Sequence, residues 1–269
     1  ILASPALVRA NIFRVVIGGA KYTRLLTDPG SEERAALSQT FHDAMDAVAV
    51  DDSVYKRERI YTLAGKIRFE RIDDDEAAIS DALQQEIRDM VVWADESTPS
   101  VYERQPVINA LGNVLNEAGM DDVAKPLMLA ELEKSKQPYY FMVSLASIEQ
   151  RAGNDEVALE WLKKAHDATK GPATRFQWGY YYLSGLLEMT PSDTETIHDT
   201  TVGLVTEILQ QSGGFHQRPK AQLERLENKL EEWGTDKGKA LTDIRQSVRS
   251  VCATLPAQDA ACEAFLESA

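Results

Sequence analysis

The chain has 269 residues, 43% of them hydrophobic, which is enough for one large domain or two small ones, each with a real core. Its net charge of −14 and pI near 4.8 count against nucleic acid and against an anionic membrane surface, both of which attract basic faces. No apolar run approaches the roughly 18 residues that a membrane-spanning helix requires.

Read in chain order, apolar residues recur at three- and four-residue spacing between glycine and proline breaks, and no alternating strand pattern stands out. The pattern predicts helices over 5–27, 31–48, 52–71, 75–95 and 100–118. Further helices are predicted over 121–135, 138–152, 155–169, 173–189, 193–212, 217–233, 238–254 and 259–267. The opening stretch "NIFRVVIGGA" is broken by Arg14 and lacks the basic start and cleavage site of a signal peptide. The chain starts on "ILASPALVRAN" without a methionine, as a processed or trimmed fragment would. Ser100 with Glu103, and Ser192 with Glu195, fit the capping box, in which serine and glutamate satisfy free amides of the first turn. The acidic run 73–76 is expected to face the positive end of the next helix.

A repeat lies in the middle. "EAGMDDVAKPLMLAE" (117–131) and "RAGNDEVALEWLKKA" (151–165) are related by a gapless offset of 34 that extends over 105–138 and 139–172. It places Leu111-Gly112 on Leu145-Ala146, Gly119 on Gly153, Val123-Ala124 on Val157-Ala158, Met128 on Leu162 and Pro138 on Pro172. Thirty-four residues is the tetratricopeptide period. Gly112 and Ala146 are small where a second helix crosses, Ala124 and Ala158 are the matching contacts, and the prolines stop the second helix. Glu131 departs from the pattern by replacing the alanine that Ala165 supplies. Two repeats cannot bury a continuous core alone, so neighbours must stack on both sides. The segment from 173 ("RFQWGYYYLSGLLEM") reads as the start of a degenerate third repeat, and 52–95 as a degenerate helix pair. The expected fold is all-α, a tetratricopeptide-like α-α superhelix of about 12–13 helices with degenerate ends. Its parts are divergent N-terminal helices (1–99), repeats (100–190) and C-terminal capping helices (191–269).

Chemistry is sparse. His42, His166, His198 and His216 show no metal-ligand spacing, and there is no phosphate loop and no Gly-x-Ser-x-Gly elbow. No metal, cofactor or catalytic residue is expected. Cys252 and Cys262 are too few for a disulfide scaffold and too far apart for a Cys-x-x-Cys motif. Reduced structural thiols would suit the cytosol, and a single disulfide pinning the last helix would suit an oxidising compartment.

The stretches "YERQPVINALGNVLNEAGMDDVA", "PYYFMVSLASIEQRAGN", "GPATRFQWGYYYL" and "VCATLPAQDAACEAFL" resemble the helical C-terminal region of a group of bacterial thioredoxin-family proteins. The resemblance covers about 100–266 well and 1–99 poorly, and the chain departs from that group in carrying no Cys-x-x-Cys. The resemblance implies an exported, periplasmic parent in which a thioredoxin domain is covalently linked to this region, and a protein or peptide client. An oxidising compartment would let a Cys252–Cys262 disulfide persist across "ATLPAQDAA", where Pro256 ends one helix and Asp259 starts the next. In such superhelices the first helix of each repeat lines a concave wall. Here that wall carries Asn109, Asn113, Asn116 and Glu117 in one repeat, and Val143, Ser147, Gln150 and Arg151 in the next, with Tyr140 at the rim. Amides bond a peptide backbone whatever its sequence, and Arg151 or Arg175 takes a carboxylate. The alternative is a structural spacer or dimerisation platform with no ligand in the groove. Trp178, Tyr180, Tyr181 and Tyr182 would then mark an interface, with at least two of them packed in the core.

Overall fold

The computed structural model describes residues 2–209 and 217–254, and among these it contains thirteen α-helices and no strand. In order they are α1 (Pro5–Ala10), α2 (Ile12–Leu26), α3 (Glu32–Ala49), α4 (Lys56–Glu70), α5 (Asp81–Ser97), α6 (Val101–Ala118) and α7 (Asp121–Leu132). They continue as α8 (Tyr139–Arg151), α9 (Asp155–Asp167), α10 (Pro172–Met189), α11 (Thr194–Leu209), α12 (Gln217–Gly234) and α13 (Gly238–Cys252). The helix expected over 259–267 lies outside the described residues. No described helix is long and apolar enough to cross a membrane.

Local chemistry moves several predicted boundaries. The single helix expected over 5–27 breaks at Asn11, whose Nδ2 donates to the Leu7 carbonyl at 2.9 Å. An asparagine that bonds nearby backbone in this way competes with the helix ladder. Ser100 precedes α6 but its side chain caps nothing, and the Glu103 carboxylate lies instead 3.3 Å from Lys56 Nζ. At α11 the cap falls one residue later than expected, where Asp193 Oδ1 accepts the Thr196 N–H at 3.1 Å. The run 73–76 ends short of α5, which is capped by Ser80 accepting the Leu83 N–H at 3.2 Å. Asp73 instead meets Arg34 at 2.5 Å.

The chain divides into two compact units, 1–137 and 138–269. In the first, α2, α4 and α6 pack side by side in one row, while α3 bridges α2 and α4, and α5 bridges α4 and α6. Gly65 lets α4 approach α2 closely, since a Cβ there would sit 3.0 Å from the Val16 carbonyl oxygen and against Met45 Sδ. Val15, Val16, Phe41, Met45, Val48 and Phe69 form the core beneath this contact. In the second unit α8 pairs with α9, α9 with α10, and α10 packs on α11 and α12, with α13 against α11. Phe176, Leu183, Val205, Leu226, Leu230 and Ile244 fill its interior.

The corners of the two hairpins match position by position. The Gly119 and Met120 amides bond the carbonyls of Asn116 and Leu115 at 3.2 and 3.0 Å. Thirty-four residues on, Gly153 and Asn154 bond Gln150 and Glu149 at 3.0 and 2.9 Å. Both glycines are left-handed, with φ of 72° and 76°, the Schellman ending that glycine adopts without strain. Leu111 with Leu145, Ala124 with Ala158 and Met128 with Leu162 are all buried. The hairpins differ in how tightly they close, α7 approaching α6 less closely than α9 approaches α8. Glu131, 2% exposed, accepts three N–H contacts from Arg104 at 2.7–3.0 Å in the place where Ala165 lets α9 close on α8. The Arg104–Glu131 ion pair needs room that the single alanine at 165 does not.

Candidate functional site

The row of α2, α4 and α6 presents one face that is not covered within its own unit. Along α2, Phe13, Ile17, Lys21 and Arg24 recur at helical spacing and all four are exposed. Phe13 and Ile17 are 42% and 49% exposed, high for large apolar side chains on a helix whose opposite face is core. On α4, Tyr61 and Arg68 point the same way, and on α6 so do Asn113 and Glu117.

Cross-helix contacts order these side chains into rungs. Phe13 and Tyr61 meet ring to ring at 5.9 Å, and Asn113 Nδ2 donates to the Tyr61 hydroxyl at 3.0 Å. In the next rung Arg68 grips Glu117 with Nε and Nη2 at 2.6 and 3.0 Å. Arg71 continues the line, donating from Nη1 to the Glu117 carbonyl at 2.6 Å and from Nε to the Ala77 carbonyl at 2.8 Å. Between α2 and α4 these groups enclose an open cavity of about 250 Å³ that is lined by Lys21, Arg24, Arg68 and Arg71 against Asp75 and Glu117. Arg24 stands 3.8 Å from Asp75, and both are largely exposed, so that pair binds weakly. Two carboxylates thus face four cations.

Of the residues picked out by the repeat, Asn113 and Glu117 lie on this face, with half-buried Asn109 and Asn116 on the same side of α6. The remainder lie in the second unit. Tyr140 is half-buried and meets Trp178 edge-on at 4.9 Å. Ser147 Oγ donates to the Val143 carbonyl of its own helix at 3.2 Å. Gln150 and Arg151 are exposed at the end of α8. Arg175 clamps Glu207 of α11 at 2.9–3.2 Å, and that carboxylate holds the guanidinium above its ordinary range. Its donors toward α11 are therefore already occupied. In the aromatic group Trp178 is buried, Tyr180 and Tyr182 pack against the core, and Tyr181 is 41% exposed. Cys252 is buried at the end of α13, whereas Cys262, and with it the disulfide expectation, lies outside the described residues.

The wall contributed by α2 and α4 was missed in the sequence, although the spacing of Phe13, Ile17, Lys21 and Arg24 carried it. Reading 5–27 as one continuous apolar helix concealed that its apolar residues lie on two faces.

Two other constellations have structural explanations. His198 Nδ1 meets Asp199 at 2.9 Å and its Nε2 meets Ser247 Oγ at 2.9 Å, which has the order of a nucleophilic triad. Ser247, however, sits inside α13, where the neighbouring amides are spent on the helix and offer no oxyanion site. The contact ties α11 to α13. His166 is half-buried beside Tyr182, with its Nε2 shut off from solvent and unpaired, and burial followed by the nearby Arg175 charge lowers its pKa. Among the described residues no group of three His, Cys, Asp or Glu side chains is placed to hold a metal ion. No protein-family model, curated protein or solved structure matches the chain.

Proposed function

We propose that the chain is a non-catalytic helical repeat module that binds a protein or peptide segment on the α2/α4/α6 face. One observation carries the reading: an apolar, aromatic and amide surface is joined by cross-helix contacts beside a cationic groove, on a chain of net charge −14. Side chains that are pre-positioned lose little freedom on binding, which favours recognition over mere solvation. Selection of a displayed peptide library on the immobilised chain tests it. Peptides should be enriched on the wild type, and enrichment should vanish for Phe13→Glu with Ile17→Glu, both exposed, while the far-ultraviolet circular dichroism is unchanged. Equal enrichment on the variant would move binding elsewhere, with the α8 face of Tyr140, Ser147, Gln150 and Arg151 next.

The resemblance of 100–266 to the helical regions of exported thioredoxin-family proteins supports a periplasmic setting and a client whose thiols a linked thioredoxin domain processes. Alkylation and mass spectrometry of unreduced protein from its native compartment test that part. A Cys252–Cys262 disulfide is expected, and two alkylated cysteines would overturn it.

A dimerisation platform is favoured by a different feature, the apolar tip of α2, where Leu25 and Leu26 are 69% and 75% exposed. Light scattering of the wild type and of Leu25→Ser with Leu26→Ser separates the readings, since only a platform predicts a dimer that the variant dissolves.

A further inference from the structure

Resting on the peptide-binding reading above, we infer that the groove of the first unit takes a short acidic segment of a partner protein. An apolar side chain of that segment sits against Phe13 and Tyr61, and its acidic side chains reach Lys21 and Arg24.

Charge carries the first step. The chain is strongly acidic, yet this groove gathers four cations against two carboxylates. The exposed Asp74 and Glu76 flank Asp75 in the chain, within a Debye length of about 8 Å at physiological salt, so the excess belongs to the lining that a ligand touches and not to its wider surroundings. A long nucleic acid would extend past it into the negative field of the rest of the chain. A short segment does not.

The division of labour among the cations carries the second step. Arg68 and Arg71 are spent on the Glu117 side chain and on backbone carbonyls, and so hold the groove's shape. Lys21 is exposed and Arg24 is held only by a long, solvated contact to Asp75, so these two are available to a ligand.

Geometry sets the ligand's spacing. From Phe13 to Lys21 and Arg24 is eight and eleven helical residues, or about 12 and 16 Å at a rise of about 1.5 Å each. An extended peptide advances about 3.3 Å per residue, which puts its acidic residues about four to five positions from its apolar anchor.

The test uses the full chain and labelled peptide libraries with phenylalanine fixed, and aspartate, lysine or serine fixed four and five positions away. Binding is read by fluorescence anisotropy at low and high salt. The aspartate library should bind at least tenfold more tightly than the lysine library and weaken with salt. Lys21→Glu with Arg24→Glu should lose that tenfold preference with an unchanged melting temperature. Equal binding of all three libraries, or a variant that binds aspartate as before, overturns the acidic assignment and leaves peptide binding standing. Competition by tripolyphosphate at the affinity of the peptide overturns it in favour of a general anion site. If no peptide binds, including any enriched by display, the peptide-binding reading falls as well.

Discussion

Replacing Glu131 by alanine gives α7 the residue that α9 carries at the equivalent place, yet it should destabilise the first unit. Glu131 is almost fully buried and accepts three contacts from Arg104 Nε and Nη2 at 2.7–3.0 Å, with Lys134 Nζ making a fourth contact at 3.2 Å. Hydrogen bonds donated to Glu131 hold the Arg104 guanidinium above its usual range, against the opposing effect of burial. With the carboxylate gone, Arg104 keeps Asp95, whose side chain is mostly exposed, and long contacts to the Asp95 and Thr98 carbonyls at 3.4 and 3.5 Å. Breaking a buried pair from one side costs about 3–5 kcal/mol, because the remaining charge is stranded. The surviving Asp95 contact puts the expected cost near the lower end, about 3 kcal/mol. Arg104→Met with Glu131→Ala removes both charges and should recover most of that loss, since an apolar replacement of a buried pair is often neutral. Urea unfolding followed by circular dichroism gives the coupling in a double-mutant cycle, and hydrogen exchange at the α7 amides locates it. The expected coupling is about 2 kcal/mol or more, within the range seen for residues in one network. A cost below about 1 kcal/mol for Glu131→Ala, together with additive single variants, would refute the reasoning and mark the pair as incidental.

Gly65→Ala should overpack the α2/α4 approach, where the new Cβ meets the Val16 carbonyl oxygen at 3.0 Å, and cost about 1–3 kcal/mol in a thermal or urea melt. An unchanged midpoint would mean that the two helices separate freely. His166 is held neutral by burial, so its folded pKa lies below its unfolded value of 6.5. The unfolded chain then binds the extra proton first. Stability is intact above pH 6.5 and falls as the pH drops from 6.5 toward the lower folded value, and His166→Asn should flatten that fall in urea midpoints taken at pH 7.5 and 5. Part of the slope should remain, since His42 is shifted the same way by burial and by Lys66.

Some of this protein follows from residue order alone, because the forces involved are local. Glycine at 119 and at 153 ends a helix in the left-handed conformation wherever the chain goes next, so the corner of each hairpin was legible as a repeated Gly-x-Asp signal. Helix periodicity likewise shows that Leu111, Leu145, Ala124 and Ala158 turn inward. Half of the candidate face was legible for the same reason, since Asn113 and Glu117 share the outer side of α6. Its other half depended on partners far apart in sequence. Tyr61 joins this face only because α4 lies between Phe13 and Asn113, residues that are 48 positions before it and 52 after it. Glu131 looked like a flaw in the repeat until Arg104, 27 residues earlier, supplied its counter-charge. Arg175 looked available for a carboxylate until α11 brought Glu207 against it, 32 residues away. Backbone turns and buried stripes are set by neighbours within a few residues, whereas a charge or a hydroxyl takes its meaning from whatever the fold places beside it.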